Sequence, residues 1–213
     1  MLVFSDLLTG QHVQSLMASQ AEEATPWACL QCIIFMMGLF HLKMACADAI
    51  WKMFIQPKLK MADKDTLINL IGEIQPNEMG IIESNPGFRC MHEVIQHVGV
   101  VSWLNVWWIA AGETRGVQFE TLDDFAASKP SWDDLFKMAL HFHEKCVTKT
   151  ELIMLKHMKP VENRDQQHEN ILLMHQYFLL YEEMSCALNY GDIDQVEALF
   201  LLWMCIFCGC GKH

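Results

Sequence analysis

At 213 residues the chain has the length of one ordinary domain, and its 52% apolar content is ample for a packed core. Its formal net charge is −11, from 26 acidic and 15 basic residues, and the Lys/Arg pattern is nowhere denser than the scatter around Lys58 and Lys60, which argues against nucleic-acid binding by this chain alone. The nine cysteines follow a start, MLVFSD, with no basic leader or cleavage site, so thiols in an intracellular setting, nuclear or cytoplasmic and not secreted, are expected rather than disulfides.

In chain order, Leu2 to Phe4 is the one strand the pattern suggests, and an edge of a sheet could begin there. Asp6 then either begins a turn or holds an ion. Thr9 is the expected cap of a helix over Gln11 to Ala24, with Val13, Leu16, Met17, Gln20 and Ala24 on one face. Thr25-Pro26 reads as the start of a second helix running toward Phe54, with Gly38 as a break and Pro57 as a stop. Residues Gln56 to Arg89 hold three of the six prolines, so loops are expected there, with one short helix near Thr66 to Ile74 and a turn at Asn85-Pro86-Gly87. A helix from Phe88 to about Trp108 follows, then a loop over Gly112 to Val117.

Thr121 and Ser131 each have an aspartate three residues on, Asp124 and Asp134, a capping pattern. Lys159 to Arg164 reads as a polar connection. Ile171, Met174, Phe178, Tyr181, Ser185 and Leu188 recur at alternating steps of three and four, one face of a helix that Gly191 ends. Asp192 and Gln195 then open another, with Val196, Leu199, Trp203 and Ile206 as its apolar face. The expectation is a mainly α, irregular domain of about seven helices, with at most one or two short N-terminal strands. Pro26 to Leu42 and Ala198 to Gly211 approach membrane-spanning length and composition but read as buried core helices, so no membrane partner is expected.

Few patterns carry chemistry. Cys29-x-x-Cys32 and Cys205-x-x-Cys208 are spaced like two halves of a structural zinc site, yet both lie in apolar, helix-like runs, where free cysteine acts as a small hydrophobe. His141 and His143 are two apart and would diverge on a helix. His92 with His97, and the singles His41 and His175, read as hydrogen-bonded core or surface residues. There is no nucleophile elbow and no phosphate-binding loop. Two acids remain: Asp6 after the strand-like run, and Glu197 in a distant helix. Carboxylates so disposed can share Mg2+ or Mn2+, although Glu197 by itself reads as an exposed helix residue.

Six stretches together carry a resemblance: SDLLTGQHVQSL (Ser5 to Leu16), ATPW (Ala24 to Trp27), MGLFHLKMACADAIW (Met37 to Trp51), RDQQHENILLMHQYFLLYEEM (Arg164 to Met184), LNYGDIDQVEALF (Leu188 to Phe200) and CGCGKH (Cys208 to His213). They resemble a large fungal family of uncharacterised proteins, a domain of unknown function with the distribution of mobile-element genes. The family's opening G-D-Q-L-T reads Ser5-Asp6-Leu7-Leu8-Thr9, with the aspartate kept. Its G-D-I-G-R-x-E reads Gly191 to Glu197, with the glutamate kept and the Gly-Arg pair lost. A more remote similarity, to transposase cores of the ribonuclease-H-like fold, implies Asp6 and Glu197 as the second and third acids of a metal-holding set, with His41 in the following motif and the first acid supplied from upstream. Similar sequences carry non-cysteine residues near positions 29, 32, 205 and 208, which lowers the expectation of zinc. The resemblance therefore implies a truncated, transposon-associated domain, inactive alone. A part of a metal-dependent nuclease core and a helical interaction module, self-associating or covered by partner helices, are the alternatives.

Overall fold

The computed structural model describes residues 1–55, 66–84, 86–115, 119–146 and 165–211. Lys58, Lys60, Asn85, residues 116–118, Lys159 to Arg164 and His213 lie outside the described residues. Nine α-helices and two short strands make up the described chain, the mainly α class that the sequence implies. The strands are β1 (Leu2–Ser5) and β2 (Ile34–Met37). The helices are α1 (Leu7–Ser19), α2 (Leu39–Phe54), α3 (Leu67–Ile74), α4 (Met79–Ser84), α5 (Phe88–Arg115), α6 (Leu122–Ala127), α7 (Trp132–Cys146), α8 (Gln166–Tyr190) and α9 (Ile193–Gly209), with a 3₁₀ turn over Pro76–Glu78.

The N-terminal third differs from its sequence pattern. Asp6, not Thr9, caps α1: its carboxylate accepts the Thr9 N–H at 2.7 Å, and the helix ends at Ser19. Residues 34–37 are a strand, and the helix toward Phe54 begins only at Leu39. β2 pairs with β1 in parallel, Leu2 opposite Ile34 through Ser5 opposite Met37. Parallel partners need a crossover, which α1 and the turns over residues 20–33 supply. Gly10 lets α1 lie on β2, since a Cβ there would stand 2.4 Å from the Phe35 ring. The opposite pleat of β2 leaves Ile34 and Met36 exposed.

The core forms where α2 meets α5, α8 and α9. Leu42, Cys46, Ala47, Ala49 and Ile50 of α2 are buried, and the small residues let neighbouring helices approach closely. From α8 come Met174, Phe178, Tyr181, Met184 and Ala187, the face that the three-and-four spacing marks. Gly191 adopts the left-handed conformation (φ 71°) that ends α8, and the Asp192 carboxylate accepts the Gln195 N–H at 3.1 Å to start α9. The Gln195 side chain bonds not its cap but the Glu183 carboxylate, 2.9 Å away, tying the hairpin together. The Thr121–Asp124 and Ser131–Asp134 pairs form as the sequence implies.

α5 runs on to Arg115, beyond the expected end near Trp108 and through the start of the expected loop. Its segment Phe88–Glu113 is the one stretch among the described residues long and apolar enough to cross a membrane. It packs against α2, α3, α7 and α8, which buries Met91, Val94, Ile95 and Val98 as a core face, whereas Val100, Val101, Leu104 and Ile109 stand exposed. Of the two apolar segments noted in the sequence, Pro26 to Leu42 is turns, β2 and the start of α2 rather than a helix, and Ala198 to Gly211 lies mostly in α9.

Trp203 anchors α9. It is fully buried, and among the described residues its ring N–H meets no acceptor. Trp203→Ala should therefore cost about 3–5 kcal/mol by leaving a cavity. Trp203→Phe deletes a group that already lacks a partner and should cost markedly less. Urea denaturation of both variants measures the difference, and equal losses would mean that the indole N–H is bonded after all.

Candidate functional site

β1 and β2 end at one edge, and the chain leaves each in a different way. After β1 comes Asp6 and the start of α1. After β2 comes Gly38, whose N–H donates to the Ser5 carbonyl at 2.8 Å and whose carbonyl accepts the His41 N–H at 2.9 Å. The His41 ring comes within 3.3 Å of where a Cβ on Gly38 would stand. Asp6, Gly38 and His41 therefore meet at the carboxyl ends of parallel strands, the edge at which open parallel sheets hold ligands. The Asp6 carboxyl is held below its ordinary range, first by its hydrogen bonds from Thr9, and then by the positive potential of His41 and His12.

Glu197 is exposed on the first turns of α9. Its level along the bundle follows from the packing of α2. Lys43 sits over the Tyr181 ring at 5.9 Å, whereas Phe54, further along α2, meets the earlier Tyr177, so α8 runs antiparallel to α2. The Gly191 turn reverses the chain, and α9 runs in the sense of α2, with the Cys210 thiol 3.9 Å from the Ala49 carbonyl. At about 1.5 Å per residue, the stretch from Cys210 back to Glu197 covers about 20 Å. Glu197 thus sits near the end of the bundle at which α2 begins, the end of Gly38 and His41.

Among the described residues no three His, Cys, Asp or Glu side chains converge as a metal site. Asp6 and Glu197 stand on separate elements at similar levels along α2, and by themselves they fall short of the ligand set that Mg2+ or Mn2+ requires. Cys29 and Cys32 lie in turns rather than in the expected helix. The Cys29 thiol is buried and points at the Glu23 carbonyl, 3.1 Å away. Cys205 and Cys208 are exposed on α9, and all four are free thiols.

The histidines are mostly satisfied by neighbours from other elements. His92 meets the Tyr181 hydroxyl at 2.9 Å, His97 the Gln75 amide at 2.7 Å, and His141 the Glu113 carboxylate at 2.8 Å across α5 and α7. Burial, and then the nearby Lys43, lower the His92 pKa, and burial raises that of Tyr181. Burial also lowers the pKa of His175. His41 differs, because it lines a cleft. Met44, Ala45, Ala47, Asp48 and Trp51 of α2, with Pro86, Phe88 and Met91, complete a hollow of about 380 Å³. The sequence reading passed over this cleft and the approach of His12 to Asp6. Its available signal was the seven-residue step from His41 to Asp48, which sets both on one face of a helix.

These features define a mainly helical domain with a short parallel βαβ edge and a carboxylate at the strand ends. The chain belongs to DUF6589, a family of unknown function, whose model matches residues 1–213. No curated protein and no solved structure matches it.

Because the folded state holds the Asp6 carboxyl below its unfolded pKa, its contribution to stability is present above the unfolded value and is lost as pH falls through the folded one. Asp6→Ala should therefore lower the urea midpoint at pH 7, and the deficit should close on acidification. Asp6→Asn, which still caps, should lose less. A deficit independent of pH would show that the ionised carboxylate does not hold the cap.

Proposed function

We propose that the chain is part of a transposon-derived, ribonuclease-H-like phosphoryl-transfer core, of the fungal kind its sequence resembles, acting inside the cell and inert by itself. The observation that carries the reading is Asp6 at the carboxyl end of β1, beside Gly38 and His41 at the end of the parallel strand β2. Phosphoryl-transfer centres of this kind hold divalent ions with carboxylates from separate elements. In this reading Asp6 is one such ligand and Glu197, at the same end of the bundle, another. The third carboxylate and the remaining sheet come from outside these residues. The bare apolar pleat of β2, with Ile34 and Met36 exposed, supports a sheet that is completed in this way, because parallel sheets are ordinarily covered on both faces.

Paramagnetic broadening by Mn2+ in the ¹⁵N-labelled chain tests the reading without requiring turnover. Broadening should centre on residues 5–12, 38–41 and 193–197 and vanish in Asp6→Asn, while the chain alone should leave single- and double-stranded DNA uncut. Broadening spread evenly over the acidic surface would overturn the assignment.

The outer face of α9 supports a second reading, that of a helical interaction module. Leu201, Leu202 and Met204 stand exposed there, Leu201 at 70%. Sedimentation equilibrium should then show concentration-dependent self-association that EDTA leaves unchanged and Leu201→Glu abolishes. A monomer at every concentration would remove self-association from this reading.

A further inference from the structure

The outer face of α9 carries two thiols beside its apolar residues. Leu201, Met204, Cys205 and Cys208 share one stripe of the helix, at i, i+3, i+4 and i+7, and all four are exposed. Trp203 points the other way, into the core. Cys205 and Cys208 are three apart, where Cβ atoms on a helix lie about 5–6 Å from each other, so both sulfurs can reach one ion at about 2.3 Å. No third ligand joins them: among the described residues no three His, Cys, Asp or Glu side chains converge. The Cys210 thiol lies 3.9 Å from the Ala49 carbonyl, past the middle of α2. The Cys29 thiol is buried against the Glu23 carbonyl, and Cys32 precedes β2, the strand that leads into the first turn of α2.

We propose that Cys205 and Cys208 form half of a structural zinc site, completed by the same two thiols of a second copy of this chain. The inference deepens the interaction-module reading, because it names the ion that locks a pairing the apolar face begins. Zinc takes four ligands in a tetrahedron, and four thiolates close such a site. A two-fold axis presents the same patch on both copies, so two thiols become four. As the four Zn–S bonds form, the four thiols release their protons to solvent, and no oxidant takes part. The contact also covers Leu201 and Met204, which otherwise stand in water. Charge sets the sense of the crossing. Asp194 and Glu197 continue the stripe toward the start of α9, and both are exposed. Parallel helices would set these acids against their own counterparts, whereas an antiparallel crossing centred on the cysteines carries them apart.

Sedimentation equilibrium of the metal-free full chain, kept reduced by a phosphine so that no disulfide forms, tests the site with and without Zn2+. Free zinc at about 100 times its dissociation constant from the dimer should tighten association about a hundredfold. One metal should be bound per two chains, and Co2+ in its place should give the absorption of a tetrahedral four-thiolate centre. Cys205→Ser or Cys208→Ser should abolish both responses, and Cys186→Ser, at another exposed thiol, should leave them intact. Unchanged circular dichroism confirms that these surface variants fold. Failure to bind zinc, one zinc per single chain, association that zinc leaves unchanged, or responses that survive both serine variants overturn the site. If the metal-free chain still pairs and Leu201→Glu undoes that pairing, the interaction-module reading survives this failure. A metal-free monomer that zinc converts to a dimer supports the site, while pairing through the apolar face alone falls.

Discussion

The close packing of α2 is the constraint on which the rest of the structure depends. Cys46, Ala47, Ala49 and Ile50 are almost wholly removed from solvent. The small side chains of Cys46, Ala47 and Ala49 let α5, α8 and α9 lie against one helix, and larger ones would hold them apart. The same helix positions the candidate site. Its first turn carries His41 beside the strand ends, its middle carries Asp48 and Trp51, and the Trp51 N–H bonds α4 through the Ile82 carbonyl. Rigid burial of one face thus fixes the geometry of the opposite face, which is what an open cleft requires of its scaffold.

The strand pair depends on this helix in turn. Two strands of four residues do not stand alone in water. Here α1 seals one pleat through Gly10 against Phe35, and the Gly38 link to α2 fixes the ends. Gly10 sits inside a helix, where glycine costs about 1 kcal/mol relative to alanine. That cost is offset by the close approach that a Cβ would prevent. The other pleat, with Ile34 and Met36 exposed, has no such seal among the described residues.

Those same elements decide how much of the molecule was legible in the sequence. The α8–α9 hairpin was readable because its information is local: alternating apolar steps, a glycine that takes positive φ, and an aspartate cap. β2 was not. CIIFMMGLFHL is a continuous apolar run, and a parallel strand and a buried helix look alike in such a run. Only the pairing with Leu2 to Ser5, some thirty residues away, separates them. The choice between Thr9 and Asp6 as the cap has the same origin. Either side chain can cap, and it is the end of β1 at Ser5 that starts the helix at once. Asp6 as a strand-end carboxylate was therefore visible, whereas its meeting with His41 required the crossover.

Electrostatics link these points. A net charge of −11 describes the whole surface, but at physiological salt a charge is felt over about 8 Å. Within that reach the groups that matter to Asp6 are Thr9, His12 and His41, and together they favour its ionised form. Around the cleft, Lys52 pairs with Asp48, and Arg89 stands next to Phe88 in a pair with Glu93. The ionisation of Asp6 thus follows its local hydrogen bonds from Thr9 more than the average charge of the chain. The sequence-level argument against a nucleic-acid face is sound for a broad basic footprint, which neutralises many phosphates at once. It does not extend to a single strand-end carboxylate, whose ionisation is set by the groups beside it.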